Sequence, residues 1–257
     1  MTQALADLLD ITNALLWQGI AVFFRVGALV ALLPAFGERT VPARIKLTLV
    51  FAFVLVVAPA VPSVGVPISF DVMIALLATE TLVGLVLGIG LRLFILALQT
   101  AGSIAAQATS LSQLLGGASA DPLPAMGYIL IIGGLALAVM AGLHIKAAML
   151  IILSYQMMPM GQLLAGNLVS GWGVQQVAQA FALAFTLAAP FIILSVIYNV
   201  ALGAINKAMP QLMVAFVGAP VITAGGLFVL FLAAPVMLEH WLAALDAFMA
   251  NPYRSAP

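Results

Sequence analysis

Cysteine is absent from this sequence of 257 residues, and charged side chains are scarce. Without cysteine the chain has no disulfide, no thiolate metal ligand and no thiol nucleophile. Eight Lys and Arg balance eight Asp and Glu, so the chain has no net charge that would attract nucleic acid or an acidic surface. Nucleic-acid binding is therefore excluded from the expected functions.

The motifs of common catalytic and cofactor sites are also missing. The sequence contains no GxxxxGK[ST] phosphate loop, no GxGxxG, no HExxH and no GxSxG nucleophile elbow. His144 and His240 are far apart, and His144 has no second metal ligand nearby in the sequence. We expect no catalytic residues, no metal and no cofactor, and we predict that the chain is not an enzyme.

Apolar residues dominate instead: the chain is 65% hydrophobic and 6% charged, with a mean hydropathy of +1.26. Soluble domains are about half apolar and a quarter charged. Because about 20 helical residues cross the hydrocarbon core, six stretches have spanning length: 13–33, 45–61, 72–98, 125–153, 179–205 and 214–238. The third and fourth are long enough to tilt, bend or form hairpins. We predict one all-α, polytopic membrane domain over residues 1–257.

Four prolines lie in the last two stretches or between them: Pro190, Pro210, Pro220 and Pro235. A helix broken at membrane depth frees backbone carbonyls, which need protein neighbours or a water-lined cavity. The pattern predicts broken helices embedded in an assembly. It is also found in secondary transporters, which bind substrate at unwound helices, and that alternative stays open here.

The basic residues predict the orientation of the chain, because cytoplasmic loops carry an excess of Lys and Arg. They flank the first, third and fifth loops, at Arg39, Arg44, Lys46, Arg92 and Lys207. The second and fourth loops contain none, so both termini are predicted to lie outside the cytoplasm, with Arg254 as the one dissenting charge.

Besides Lys46 at the start of the second stretch, four charges fall within apolar stretches: Arg25, Glu80, Arg92 and Lys146. Intramembrane charges face a bundle interior, a partner or water. One interpretation is a proton or ion relay, and the favoured one is paired structural charge or a side chain reaching the interface. Gly84 and Gly88 form a GxxxG pattern, which predicts close helix packing rather than a ligand site.

Four sequence blocks occur in a recognisable order. They are RVGALVALLPAFGERTVPARIKLTLVFAFVLVVAP from Arg25, ETLVGLVLGIGLRLFILALQTAG from Glu80, SYQMMPMG from Ser154 and NKAMPQLMVAFVGAPV from Asn206. Their order and spacing extend over most of the chain, from Arg25 to Val221. The chain resembles the FliR family of flagellar export proteins and is also similar to the SctT proteins of virulence-type secretion systems. Lys207 stands where the FliR pattern commonly has Arg, which loses bidentate pairing.

This resemblance implies a subunit of the bacterial inner membrane and the flagellar basal body, without covalent chemistry of its own. The subunit would join FliP and FliQ in a helical hetero-oligomeric export gate contacted by FlhB, through which unfolded flagellar proteins leave the cytoplasm. It also implies helices that need not cross the bilayer as straight spans. The alternatives are an SctT-type injectisome component and, from a different class, a small-molecule or ion secondary transporter.

The resemblance further implies that one loop helps to plug the closed channel. This loop corresponds to residues 107–121. Two bulky apolar groups beside two glycines could form an apolar constriction with a hinge. The candidate plug residues are Gln107, Gln113, Leu114, Leu115, Gly116 and Gly117. A solvated connector between two helices is the equally open alternative.

Overall fold

The computed structural model describes residues 2–62, 69–109, 125–162, 165–209 and 214–253. These residues form helices and no strand. The α-helices are α1 Thr2–Leu32, α2 Ala43–Val57, α3 Phe70–Thr109, α4 Ala125–Met140, α5 Leu143–Met157, α6 Gly166–Ala208 and α7 Val214–Ala250. By length and composition, five could cross a membrane, or six counting α4 and α5 as one bent span. The predicted all-α membrane protein is confirmed.

The fourth predicted stretch, 125–153, is divided between α4 and α5, which meet at a bend of 73°. Gly142 causes the break, because its φ of 80° lies in the left-handed region that glycine adopts without steric cost. The N–H of Gly142 bonds to Val139 at the end of α4, and its carbonyl accepts from Ile145 and Lys146 at the start of α5. The backbone groups at the break are thus partly satisfied within the turn.

The predicted proline breaks are wrong within the described residues, since α6 continues through Pro190 and α7 continues through Pro220 and Pro235. Pro210 lies outside those residues. Proline removes one helical N–H donor, and apolar membrane helices tolerate this when neighbouring groups or local adjustments compensate. The chain breaks at a glycine instead.

Two helices also extend past their predicted limits. α3 ends at Thr109, whereas the third predicted stretch ends at residue 98, and α6 begins at Gly166, whereas the fifth predicted stretch begins at residue 179. The flanking residues continue the helix of the adjoining apolar stretch. At about 1.5 Å per residue, α3 and α6 each exceed the roughly 30 Å of a hydrocarbon core.

The chain divides into two compact units: unit 1 comprises Met1–Arg92, Val139–Gln176 and Asp246–Pro257, and unit 2 comprises Leu93–Ala138 and Val177–Leu245. Within unit 1, α1 and α2 run antiparallel, because Phe23 packs on Phe51 while Gln18 donates to the carbonyl of Val61 at 3.0 Å. That bond also satisfies a carbonyl just past the end of α2.

In unit 2, α3 and α4 run antiparallel and touch through glycines. A Cβ on Gly102 would stand 2.1 Å from the Cα of Gly127, so the two backbones meet with no side chain between them. Further along, Gly134 lies against Leu98 and Trp241, and the Trp241 indole donates to the Phe94 carbonyl at 2.8 Å. The core of unit 2 therefore depends on close backbone approach around one buried tryptophan.

Candidate functional site: a buried charge cluster

Arg25, on α1, is fully buried in unit 1, with 0% of its surface exposed. A buried guanidinium without partners would cost several kcal/mol, because burial removes the water that solvates it. Its neighbours therefore decide whether the site is stable. They come from α3, α5 and the turn after α5.

Glu80, on α3, is the counter-ion and is also fully buried. Arg25 Nε donates to Glu80 Oε2 at 2.8 Å, and Arg25 Nη2 donates to Glu80 Oε1 at 3.1 Å. Two such bonds form the bidentate fork that a planar guanidinium offers to a carboxylate. The pair joins α1 to α3 through charge.

The C-terminal end of α5 and the residue after it accept hydrogen bonds from the remaining N–H groups of the guanidinium. Arg25 Nη1 donates to Ser154 Oγ at 3.0 Å, and Nη2 donates to the Met158 carbonyl at 3.0 Å. The last carbonyls of a helix lack helical partners and carry the negative end of the helix dipole, so a cation there is favoured. All three nitrogens of Arg25 are thus engaged, and α5 is held by the same side chain as α3.

The turn after α5 returns to the carboxylate. Gly161 has a φ of 73°, and its N–H donates to Glu80 Oε1 at 3.2 Å. The Tyr155 ring lies 3.7 Å from Arg25 Cζ, a cation–π contact. We call this group the charge clamp, and its members are Arg25, Glu80, Ser154, Tyr155, Met158 and Gly161.

The geometry of the charge clamp favours positioning of helices over ion or proton transfer. Each Glu80 oxygen accepts a hydrogen bond from Arg25, so neither oxygen is free to bind a substrate cation. Removing one partner of such a pair would leave the other buried and uncompensated, at a cost of about 3–5 kcal/mol. We interpret Arg25 and Glu80 as structural charges on this basis.

Arg92 and Lys146 do not belong to the charge clamp, and each has its own carboxylate. Arg92 pairs with Glu38 in the connection after α1, and Lys146 Nζ lies 2.7 Å from Asp246 Oδ1 near the end of α7. These side chains are 23–39% exposed. Pairs that are this open to solvent contribute about 1 kcal/mol or less.

Gly84 and Gly88 lie on the face of α3 that meets α1. A Cβ on Gly84 would stand 2.2 Å from the carbonyl oxygen of Arg25, and one on Gly88 would stand 2.9 Å from Leu32 Cβ. No side chain larger than hydrogen fits at Gly84 without moving the backbone of α1. The close approach also brings Glu80, one turn earlier, within reach of Arg25.

Two residues after α7, Pro252 and Tyr253, contact other parts of unit 1 beside the charge clamp. The Trp172 indole donates to the Pro252 carbonyl at 2.8 Å, and the Tyr253 hydroxyl donates to Met158 Sδ at 3.4 Å. Burial raises the pKa of Tyr253 to about 12, so the hydroxyl keeps its proton at neutral pH. The segment after α7 therefore contacts Met158, whose carbonyl accepts a hydrogen bond from Arg25.

Of the candidate plug residues, Gln107 is described, and its side chain is exposed near the end of α3. Gln113, Leu114, Leu115, Gly116 and Gly117 lie outside the described residues. In the part of the chain that the structure describes, no group of three His, Asp or Glu residues is arranged to hold a metal ion.

Sequence reasoning missed most partners of the predicted charges. Ser154, Met158 and Gly161 all lie in the block SYQMMPMG, which we had used only for its resemblance, so that block was the available signal. Glu38 also lies in a quoted block, the one from Arg25, whereas Asp246 lies in none. Each is distant in sequence from the cation that it pairs with, so the pairing itself could not be predicted.

Comparison with known proteins agrees with this architecture. The family described as Bacterial export proteins, family 1, matches residues 16–248. The Flagellar biosynthetic protein FliR of Caulobacter vibrioides is 34% identical over 235 residues, which cover 88% of this chain and 94% of that protein. The protein of the same name from Escherichia coli is 27% identical over 242 residues, 91% of each chain. This chain belongs to family 1 of the bacterial export proteins.

Proposed function

We propose that this protein assembles with FliP-, FliQ- and FlhB-type subunits in the inner membrane, and that it forms with the first two the conduit for unfolded flagellar proteins. The family and the relatives make the chain a component of the flagellar export apparatus. The apolar surfaces of unit 2 and the charge clamp support the proposed assembly with these subunits.

The observation that carries the proposal is the large apolar surface of α6 and α7. Only 22% of the most apolar window of either helix is buried within the chain. Exposed aromatic and aliphatic side chains line both helices, among them Phe181, Phe185, Phe228 and Phe231. Contiguous surfaces of this kind are covered by lipid or by neighbouring subunits.

A structural part in the assembly also fits the chemistry of the charge clamp. Its charges are paired within the chain, so they hold α1, α3 and α5 in one arrangement on which other subunits can assemble. No covalent chemistry is required of a conduit subunit, and we propose none for this chain.

Copurification tests the proposed assembly. A tagged copy of the chain, produced in a flagellated host with its native partners, is expected to elute from detergent as one complex with FliP- and FliQ-type subunits. Produced alone, it should aggregate or be degraded, because its apolar faces lack their partners. A monodisperse, helical monomer that needs neither subunit would contradict the proposal.

We also propose that residues 107–121 close the conduit from the cytoplasmic side, with both chain termini on the opposite side. Replacing Leu114 and Leu115 with Ser should make the closed gate leak small ions, and replacing Gly116 and Gly117 with Val should slow secretion of hook protein. Both sets are to be tested in complexes shown intact by copurification. If conductance and secretion stay unchanged, the segment is only a connector; terminal reporter fusions test the orientation separately.

A further inference from the structure

An open groove runs between α1 and α2 in unit 1. It encloses about 430 Å³, and all of its lining residues are apolar or glycine, including Leu15, Gly19, Phe23, Phe51 and Val54. A Cβ added at Gly19 would meet nothing within 4 Å, so the groove is space that neither helix fills. Helix pairs are otherwise close-packed, so this open space leaves room for an apolar occupant.

The volume of the groove favours a thin apolar occupant over a whole helix. A helix with its side chains is about 10 Å or more across, and this volume would admit only a few of its side chains. An unbranched alkyl chain fits better, because it is thin, apolar and needs no hydrogen-bond partners. The lining offers none.

Basic residues gather beyond one end of the groove. Arg39 and Arg44 are exposed, and neither forms a salt bridge with a carboxylate among the described residues. Glu38, the nearest acidic residue in sequence, is taken by Arg92. Lys46 adds a third charge and uses one of its donors on the Gly37 carbonyl. Among the described residues, the positive charge of the connection between α1 and α2 is therefore not neutralised by carboxylates.

One stripe of α2 joins this charge to the groove. Arg44, Leu47, Phe51 and Leu55 follow each other at helical spacings of three and four residues, so they share one face. The three apolar members are 48%, 53% and 78% exposed. Phe51 is also part of the groove and lies seven residues from Arg44, which is about 10 Å along the helix.

We infer that this surface binds one anionic phospholipid. Its phosphate lies against Arg39 and Arg44, and one of its acyl chains follows the stripe of α2 into the groove beside Gly19. The cations supply preference for an anionic headgroup, and the groove supplies a fixed place for the chain. The inference requires that the chain lies in a membrane, and it does not depend on the conduit proposed above.

The test is retention of lipid by the complex purified through a tag on this chain. The complex is reconstituted in nanodiscs of phosphatidylcholine with phosphatidylglycerol as the anionic probe, transferred to detergent, and extracted for lipid analysis. We expect phosphatidylglycerol to be retained in preference to phosphatidylcholine. The double variant Arg39→Gln with Arg44→Gln should weaken retention of phosphatidylglycerol roughly tenfold or more, since each cation near an anionic headgroup adds to its binding affinity.

Gly19→Leu tests the groove itself. The new side chain has room, so the protein should fold normally while lipid retention falls. Matched controls are Lys207→Gln, which removes an exposed cation from α6, and Gly203→Leu, which fills another position where a Cβ meets nothing within 4 Å. Both controls should retain lipid as the unmodified protein does.

Because the chain lacks cysteine, Gly19→Cys also provides a unique site for a thiol-directed photocrosslinker. Crosslinks to phospholipid support the inference. Crosslinks to a partner subunit would overturn it, since a protein side chain would then occupy the groove. Equal retention of the two lipids, or full retention in both Gly19→Leu and the double arginine variant, would overturn it as well.

Discussion

Units 1 and 2 are stabilised by different means. The sequence places 13 of its 16 charged residues in unit 1, and unit 2 contains only Asp121, Lys207 and Glu239. All three ion pairs seen among the described residues belong to unit 1, one of them fully buried. Unit 2 relies on glycines that let helices touch, as at Gly102 and Gly127.

The difference shows two solutions to one physical problem. Between helices in lipid the hydrophobic effect gives little attraction, so packing and polar contacts must hold them together. A buried ion pair has strict geometry and selects one arrangement of its helices, whereas a glycine contact depends on close fit along a helix face. Unit 1 combines both, since Gly84 brings α1 near enough for Glu80 to reach Arg25.

Breaking the charge clamp should have the largest effect. Arg25→Met leaves the Glu80 carboxylate buried without its partner, and we expect a loss of about 3–5 kcal/mol of stability. The measurement is the thermal denaturation midpoint of the purified complex, together with the amount of the chain in membranes.

The double variant Arg25→Met with Glu80→Met should recover much of that loss, because no buried charge remains unpaired. Lys207→Met, at an exposed position of unit 2, is the control for removing a cation. Equal effects of Arg25→Met and Lys207→Met would mean that the charge clamp does not stabilise unit 1.

The second largest loss of stability is expected when a side chain is added at the glycine contact of unit 2. In Gly102→Ala the added methyl group would collide with the Gly127 backbone, and we expect a loss of about 1–3 kcal/mol, since the helices must separate. Gly203→Ala, in the same unit but in open space, should be neutral or slightly stabilising. If the two variants denature at the same temperature, close backbone approach is not what holds α3 to α4.

A smaller effect is expected at the end of the chain. Trp172→Phe keeps an aromatic ring but removes the hydrogen bond to Pro252, at a cost of about 1 kcal/mol. The segment after α7 should then be cut faster by carboxypeptidase in the intact complex. Tyr128→Phe, at an exposed position of α4, is the control and should leave the rate unchanged; a Trp172→Phe rate equal to this control's would show that the bond does not hold the segment.

The smallest effect is expected from breaking the partly exposed ion pair between Lys146 and Asp246. Lys146→Gln removes the contact with Asp246, and we expect a change of about 0.2–1 kcal/mol because solvent screens both charges. Motility in soft agar and the denaturation midpoint should both stay near those of the unmodified protein. A loss as large as that of Arg25→Met would mean that Lys146 has a partner outside this chain.

Composition was enough to establish the fold class. A chain with this few charges and with apolar stretches of spanning length is expected to fold as membrane helices, because a helix satisfies its backbone hydrogen bonds within one segment in lipid. The sequence also singled out Arg25 and Glu80, since charges in apolar stretches need an explanation. The sequence also predicted close packing at Gly84 and Gly88 of α3, because small residues four positions apart share one helix face.

The tertiary structure alone decided which charge pairs with which, and where the helices break. Arg25 could have faced any of several carboxylates, and its partner was set by the parallel approach of α3 to α1 and by the turn that returns Gly161 to Glu80. Likewise Pro190 stays helical while Gly142 bends the chain, because a local preference yields to the packing around it. Pairing between distant residues depends on how helices meet in space, and no local pattern in one sequence encodes that.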